Sequence, residues 1–236
     1  MIHSIILDYG GTLDTNGDHW SHIIREGWQK ANVVANEPIF RESYVFGERE
    51  LERSIKILPH FNFSDLLKIK IRLELQYLAS KGLLPPQDIE PKTIEISDYC
   101  YNAAKEQIQK CLPILEKLSK DYPIVLVSNF YGNLEAVLKD FGIFKFFRKV
   151  IDSSKVGIRK PDPDIYKLAI KELGDAPSDI LVIGDSYEND IIPAQKLGCQ
   201  SLWLKGKSWS ETREIDSSVE TISSLEDVLD FLGSPS

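Results

Sequence analysis

The chain has 236 residues, 42% of them hydrophobic and 10% aromatic, which is enough for one domain or for a core with an insertion and excludes a disordered or fibrous protein. The net charge is −8, and Lys and Arg are scattered among Asp and Glu, so a nucleic-acid partner is not expected. No apolar run approaches the roughly 18 residues of a membrane span, and three isolated cysteines predict no disulfide framework, so we expect a cytoplasmic protein without a membrane partner.

Five short apolar runs rich in Ile and Val predict buried strands. In chain order they are IHSIILD, YPIVLVSN, KVID, DILVIGD and CQSLWL. Helical periodicity separates the later runs, in NLEAVLKDFG, PDPDIYKLAIKELG and NDIIPAQKLG. Gly142 and Gly198 are expected to end the first and the last of these helices as left-handed C-caps. The middle helix is expected to start at Pro161. The alternation predicts an α/β fold, a Rossmann-like doubly wound parallel sheet with helices on both faces.

The stretch between the first two predicted strands does not follow this alternation of strands and helices. WSHIIREGWQKANV, FRESYVFGERELERSIKIL and FSDLLKIKIRLELQYLAS all have helical periodicity, and prolines separate them. We therefore expect an all-helical domain over 15–106, inserted into an α/β core over 1–14 and 107–236. The tail, ETISSLEDVLDFLG, predicts one last capped amphipathic helix.

Polar residues follow the predicted strands at the points where the strands end. In an open α/β sheet, ligands bind beyond the carboxyl ends of the strands, near the place where the strand order reverses. Lys160, in a loop, can reach the same edge. The strand-end residues are Asp8, Gly10, Gly11, Thr12, Ser128, Asn129, Gly184, Asp185 and Ser186.

Four separated pieces of the chain resemble, in order, the four signature motifs of the haloacid dehalogenase superfamily. They are ILDYGGTLD, LVSN, RKPDPDIYKLA and VIGDSYENDIIPAQKLG. The helical insertion lies where many members of that superfamily carry a cap domain. The resemblance implies a hydrolase, most simply a Mg²⁺-dependent phosphatase for a small phosphorylated substrate, and leaves its oligomeric state open.

The resemblance also implies roles for individual residues. Asp8 is expected to be the nucleophile that forms an aspartyl-phosphate, and Thr12 to orient its loop. Lys160 balances the charge of Asp8, and the phosphate contacts are expected from Gly11, Ser128, Asn129 and Lys160. The expected metal ligands are Asp8, the carbonyl of Gly10 and Asp185, with Asp190 orienting the metal or its waters.

Structural roles compete with several of these assignments. Ser128 and Asn129 are also suitable caps for the helix that follows them. Asp185 and Asp190 are also suitable partners for a helix N-terminus, where each contributes about 0.3 to 1 kcal/mol. Asp190 is the residue for which that explanation is the strongest.

One departure from the motifs concerns the reaction itself. Most phosphatases of the superfamily have a second aspartate two residues after the nucleophile, which protonates the leaving alcohol, and here that position is Gly10. Such acid/base catalysis contributes about 10² to 10⁴ in rate. The nearby replacement candidates are Asp14, Asp18, His19 and His22.

Four alternatives follow from this departure. The first is a phosphatase with another acid or with a substrate that has a good leaving group. The second is a 2-haloacid dehalogenase-like enzyme, which needs neither the acid nor a metal. The third is a phosphotransferase or slow phosphoenzyme, and the fourth is a non-catalytic module that binds phosphate and metal.

Overall fold

The computed structural model describes residues 1–53, 57–209 and 219–233. Its centre is a six-stranded sheet in which every neighbouring pair is parallel, in the order β3-β2-β1-β4-β5-β6. The prediction of a doubly wound parallel sheet is therefore confirmed. The strands are β1 Ser4–Leu7, β2 Ile124–Ser128, β3 Lys149–Asp152, β4 Ile180–Gly184, β5 Gln200–Leu204 and β6 Thr221–Ile222.

Helices cover the sheet and fill the long connection between β1 and β2. They are α1 Trp20–Lys30, α2 Glu37–Arg53, α3 Phe63–Ser80, α4 Ile89–Asp121, α5 Leu134–Asp140, α6 Ser153–Val156, α7 Asp164–Leu173, α8 Ile192–Lys196 and α9 Asp227–Gly233. Short 3₁₀ turns lie at Pro86–Asp88, Phe144–Phe146 and Pro177–Asp179, and a π-helical turn at Tyr187–Ile191 precedes α8.

The sheet is fixed between the helices because both of its faces are apolar and buried. Every residue of β1, β2 and β4 is buried. Alternate residues of a strand point to opposite faces, so Ile5 and Leu7 join the larger core while Ile6 joins the smaller one with Val125 and Val182. Strands of this kind have no solvent-facing side, which is why their sequences are continuous apolar runs rather than alternating ones.

The boundaries differ from the sequence-based expectations at a few points. Helix α7 begins at Asp164 and not at Pro161, because Pro161 lies in a turn that the hydrogen bond from the Asp162 N–H to the Arg159 carbonyl closes. The two-residue strand β6 was not predicted, because so short a run carries no recognisable period. Gly142 and Gly198 do adopt positive φ angles of 73° and 82°. The end of the second predicted helix, residues 54–56, lies outside the described residues.

Helix α4 links the helical segment to the sheet. It runs for 33 residues, and its buried side chains recur at spacings of three and four, from Thr93 through Cys100 to Leu118. The expected boundary between residues 106 and 107 falls inside this helix. Cys100, Cys111 and Cys199 are all buried and unpaired. Among the described helices, none is both long and apolar enough to cross a membrane.

Glu74 is an unusual element of the helical packing. It lies in α3 with no exposed surface, and neither carboxylate oxygen has a hydrogen-bond partner in the described ranges. Burial raises the pKa of Glu74 to about 8, against the favourable charge of Lys70. The group is therefore mostly protonated at neutral pH, because a buried carboxylate without partners is costly.

Replacing Glu74 with Gln should flatten the pH dependence of stability. The folded state keeps a proton that the unfolded state releases above its ordinary pKa of 4.5, so this group should lower the free energy of unfolding by on the order of 3 kcal/mol between pH 5 and pH 8. Urea denaturation at both pH values should show a smaller decrease for Glu74→Gln than for the wild type. Glu95→Gln, on the exposed side of α4, is the matched control and should keep the wild-type decrease. Equal decreases in all three proteins would contradict a neutral Glu74.

Candidate active site

The candidate site lies where the strand order reverses. β1 pairs with β2 on one side and with β4 on the other, so the residues that follow these strands meet at one edge. A cleft of about 610 Å³ opens there. The sequence-predicted residues among those lining it are Asp8, Gly10, Ser128, Asn129, Lys160, Asp185, Ser186 and Asp190.

A buried lysine joins two of the carboxylates. The Lys160 ammonium donates to Asp8 Oδ1 at 2.6 Å and to Asp190 Oδ1 at 2.7 Å, and all three side chains are buried. Although burial opposes its charged form, Asp190 and Asp8 raise the pKa of Lys160 above its usual value. Lys160 is therefore held as a cation beside the candidate nucleophile.

Asp185 completes the acidic group from the end of β4. Oxygen atoms of Asp8, Asp185 and Asp190 all lie within 4.8 Å of one another. The Thr12 hydroxyl bridges two of these residues, at 2.9 Å from Asp8 Oδ2 and 3.1 Å from Asp185 Oδ1. Burial, together with the charges of Asp8 and Asp190, raises the pKa of Asp185 well above its usual range.

This donor set fits a divalent cation. Three carboxylates face one ammonium, so when all are ionised the group carries a net charge of −2 in a buried place, and a cation with hard oxygen ligands would balance it. Burial and the nearby Asp190 raise the pKa of Asp8 despite Lys160, as expected where negative charge exceeds positive charge.

Asp190 has a different environment from Asp8 and Asp185. Besides Lys160, the Tyr166 hydroxyl donates to its Oδ1 at 2.8 Å and the Ser186 N–H to its Oδ2 at 3.0 Å. Both oxygens are thus occupied by protein donors, which suits a carboxylate that orients Lys160 and waters better than a direct ligand. Asp190 lies in the π-helical turn rather than in a regular helix.

The Asn129 side chain fixes the backbone of the Lys160 loop through two hydrogen bonds. Its side-chain amide donates to the carbonyl of Lys160 at 3.0 Å, and its Oδ1 accepts from the Lys160 N–H at 2.9 Å. The Asn129 side chain is therefore not free for phosphate, which leaves its backbone N–H. The Ser128 hydroxyl lines the cleft and has no hydrogen-bond partner within the described ranges.

Gly11 has a structural use that the sequence did not reveal. It has a φ of +94°, and a Cβ at this position would lie 2.4 Å from Asp185 Oδ2. Its N–H donates to Asp14 Oδ1 at 2.7 Å. This N–H is consequently committed to the loop, so the structure gives no support to Gly11 as a phosphate contact.

The four residues that could replace the missing general acid have different environments. Asp14 is buried and accepts from Gly11 and from the Trp20 indole at 3.0 Å, and burial raises its pKa to about 7. His19 lines the cleft, but burial lowers its pKa to about 4, so its ring is neutral at pH 7. Asp18 accepts from the backbone of residue 207, and the His22 ring contacts the carbonyl of residue 208, so both are engaged elsewhere.

Three residues around the site were missed by sequence reasoning. Tyr166 on α7 supports Asp190, and the Trp203 indole donates to the Asp185 carbonyl at 2.7 Å. Asp152, at the end of β3, accepts from three backbone N–H groups and so shapes the loop that follows Asn129. A carboxylate at a strand end was the available signal for Asp152, whereas the local sequence gives Tyr166 and Trp203 no feature that separates them from core aromatics.

Known proteins similar to this chain fall into one group. A family model described as haloacid dehalogenase-like hydrolase matches residues 2–198. The phosphoglycolate phosphatase of Escherichia coli is 34% identical over 119 residues, which are 50% of this chain and 47% of that protein. The chain thus spans less than half the length of the curated relatives that it matches.

Solved structures agree with the described fold. The HAD phosphatase from Thermococcus onnurineus is 18% identical, with a TM-score of 0.52 over 98% of each chain. The L-2-haloacid dehalogenase from Xanthobacter autotrophicus, with chloropropionic acid covalently bound, is 16% identical, with a TM-score of 0.62 over the full length of both. At these identities the similarity concerns the fold alone, and it includes both phosphatases and dehalogenases.

Replacing Gly11 with Ala should destabilise the protein more than the same change at Gly82. Both glycines have positive φ, which costs a non-glycine residue about 1 to 2 kcal/mol, but a Cβ at Gly82 meets nothing within 4 Å while one at Gly11 meets Asp185. We expect Gly11→Ala to lose about 1 to 3 kcal/mol beyond the control, because overpacking adds to the backbone strain. Urea denaturation of both variants measures the difference. Equal losses in the free energy of unfolding would show that the Gly11 loop can move to accommodate the added methyl group.

Proposed function

Because this chain belongs to the haloacid dehalogenase-like hydrolases, we propose that it is a Mg²⁺-dependent phosphatase that acts on a small phosphorylated metabolite through an aspartyl-phosphate at Asp8. The observation that carries the proposal is the close group of Asp8, Asp185 and Asp190, in which buried Lys160 contacts both Asp8 and Asp190. Similarity to a phosphoglycolate phosphatase over half of the chain supports a phosphate monoester as the substrate. The helical segment 15–106 is the proposed cap above a core formed by 1–14 and 107–236.

The proposed first step uses residues that the cleft brings together. The Asp8 carboxylate attacks phosphorus, a bond forms between its oxygen and phosphorus, and the bond to the ester oxygen breaks. Lys160, the Ser128 hydroxyl and the Asn129 N–H stabilise the phosphoryl oxygens. Asp8, the Gly10 carbonyl and Asp185 would hold Mg²⁺, which when bound neutralises the phosphate, and Asp190 orients this set from outside.

We assign the proton of the leaving alcohol to Asp14. Its pKa of about 7 matches the requirement for a group that donates and accepts protons near neutral pH. It lines a side cavity that Gly10 also lines, next to the place where the usual aspartate would stand. Each Asp14 oxygen retains a further lone pair beyond the bond it accepts from Gly11 or Trp20. In the second step, Asp14 takes a proton from the water that hydrolyses the aspartyl-phosphate.

A dehalogenase-like reaction is the second candidate function. The observation that favours it is Gly10, since a halide leaves without a proton and needs no acid at this position. The acidic group argues against it, because three carboxylates so close together suit a divalent cation, which a metal-independent enzyme does not need.

The proposed function predicts phosphate release that depends on Mg²⁺ and on Asp8. With acetyl phosphate, p-nitrophenyl phosphate and a panel of phosphorylated metabolites, turnover should appear with Mg²⁺ and vanish in chelator. Asp8→Asn should lower kcat by about 10³-fold or more, because the nucleophile is lost. Asp98→Asn, on the exposed side of α4, is the control and should retain activity. Halide release from L-2-chloropropionate in chelator would favour the dehalogenase instead.

The assignment of Asp14 predicts a dependence on the leaving group. Asp14→Asn should lower kcat for alkyl phosphates by about 10² to 10⁴ and should lower it much less for acetyl phosphate, whose leaving group needs no proton. Adding Gly10→Asp to this variant should restore alkyl phosphate turnover, because the structure leaves the space beside Gly10 open. If Gly10→Asp alone raised wild-type activity by about 10² or more, Asp14 would not be serving as the acid.

A further inference from the structure

A small side cavity adjoins the catalytic cleft. Gly10 lines both spaces, and apart from its two chain neighbours no atom of the described residues lies within 4 Å of the place where its Cβ would stand. The side cavity has a volume of about 100 Å³, roughly three waters at their share of liquid volume. It therefore has room for an organic group of a few heavy atoms, next to a phosphate that Asp8 can reach.

A polar cluster formed by the helical segment and by the loop after β2 faces this side cavity. Lys70 of α3 forms an ion pair with Glu48 of α2, and the Tyr131 hydroxyl donates to Glu48 Oε2 at 2.5 Å. The Lys70 ammonium also lies 4.2 Å from the centre of the Tyr44 ring. Asp14, the proposed acid, lines the cavity near Gly10, and the other walls are mostly apolar or aromatic, with Trp20, Phe63 and Phe130 among them.

The charges of this cluster cancel. Although burial opposes its charged form, Lys70 holds the pKa of Glu48 below its usual value, and Glu48 in turn raises the pKa of Lys70. Behind them, Glu74 is mostly protonated at neutral pH, as described above. A carboxylate or an ammonium group placed against this cluster would therefore have no counter-charge in it, which is costly for a buried charge.

Hydrogen-bonding capacity nevertheless remains. Lys70 has three N–H donors, and Glu48 is its one hydrogen-bond acceptor within the described ranges. The Glu48 oxygens have further lone pairs beyond the bonds from Lys70 and Tyr131. An alcohol can accept from Lys70 and donate to Glu48 at once, which an anion, a cation or an alkyl group cannot do.

We propose that the side cavity binds the leaving group of the substrate and that this group is a short, uncharged, hydroxylated carbon chain, so that the substrate is a small polyol phosphate. The proposal rests on the proposed phosphatase function and adds the identity of the organic group. Lys70, Glu48 and Tyr131 are the residues that determine specificity.

The test compares esters that differ only in this group. sn-Glycerol 3-phosphate carries a terminal CH₂OH, 3-phosphoglycerate carries a carboxylate in its place, and propyl phosphate carries neither hydroxyl. With Mg²⁺ present, kcat/KM for sn-glycerol 3-phosphate should exceed that for each of the others by at least about tenfold, because the wrong group leaves buried donors and acceptors unpaired. Acetyl phosphate serves as the reference substrate.

Two variants connect the preference to the cluster. Tyr131→Phe keeps the ion pair and should remove part of the preference for sn-glycerol 3-phosphate over propyl phosphate. Lys70→Met should reduce it further and shift selectivity towards esters with a cationic group such as phosphoethanolamine, because Glu48 then lacks its counter-charge. Tyr101→Phe, which removes a hydroxyl bonded to exposed Asp140, is the matched control and should change neither ratio.

Each outcome decides a separate question. A preference for 3-phosphoglycerate, or equal use of all three esters alongside good acetyl phosphate turnover, would overturn the proposed leaving group and leave the phosphatase standing. A wild-type preference that survives in both Tyr131→Phe and Lys70→Met would overturn the role of the cluster. Absence of Mg²⁺-dependent turnover even with acetyl phosphate would overturn the phosphatase function and this inference together.

Discussion

The buried ammonium of Lys160, shared between Asp8 and Asp190, is the constraint on which the rest of the structure depends. A buried charge is tolerated only with partners, and here they come from chain positions more than 150 residues apart. They meet only if β1 lies beside β4 and the loop before α7 returns over their ends. The ion pairs of Lys160 can therefore form only in a chain that has this strand order.

Close packing of backbone against charged groups refines this arrangement. Gly184 has no room for a Cβ because Asp190 would lie 2.4 Å from it, just as Gly11 has none because of Asp185. Asn129 then fixes the backbone of Lys160 through two hydrogen bonds. The cleft is consequently preorganised, and its carboxylates are held in place before any phosphate or cation enters.

Much of this could be predicted from the sequence, because the strands are continuous apolar runs and Asp8 and Asp185 directly follow them. The boundaries of the elements were harder to predict, because β6 is too short to show a period and α7 starts three residues after Pro161. The side cavity could not be predicted from the sequence. Glu48, Lys70 and Tyr131 come from three separate segments, and each has the local pattern of an ordinary helix or loop residue, so only tertiary packing brings them together.

Helix α4 is continuous from the helical segment to the end that precedes β2, and this continuity restricts how such a protein can change in evolution. One residue inserted into an α-helix rotates everything beyond it by about 100° and shifts it by about 1.5 Å. An insertion near the middle of α4 would therefore turn the buried stripe of one half away from its partners. Exchange of the helical segment between relatives should thus be tolerated only when the junction within α4 preserves the helical phase, whereas length changes should accumulate in the loop between Gly82 and Pro85.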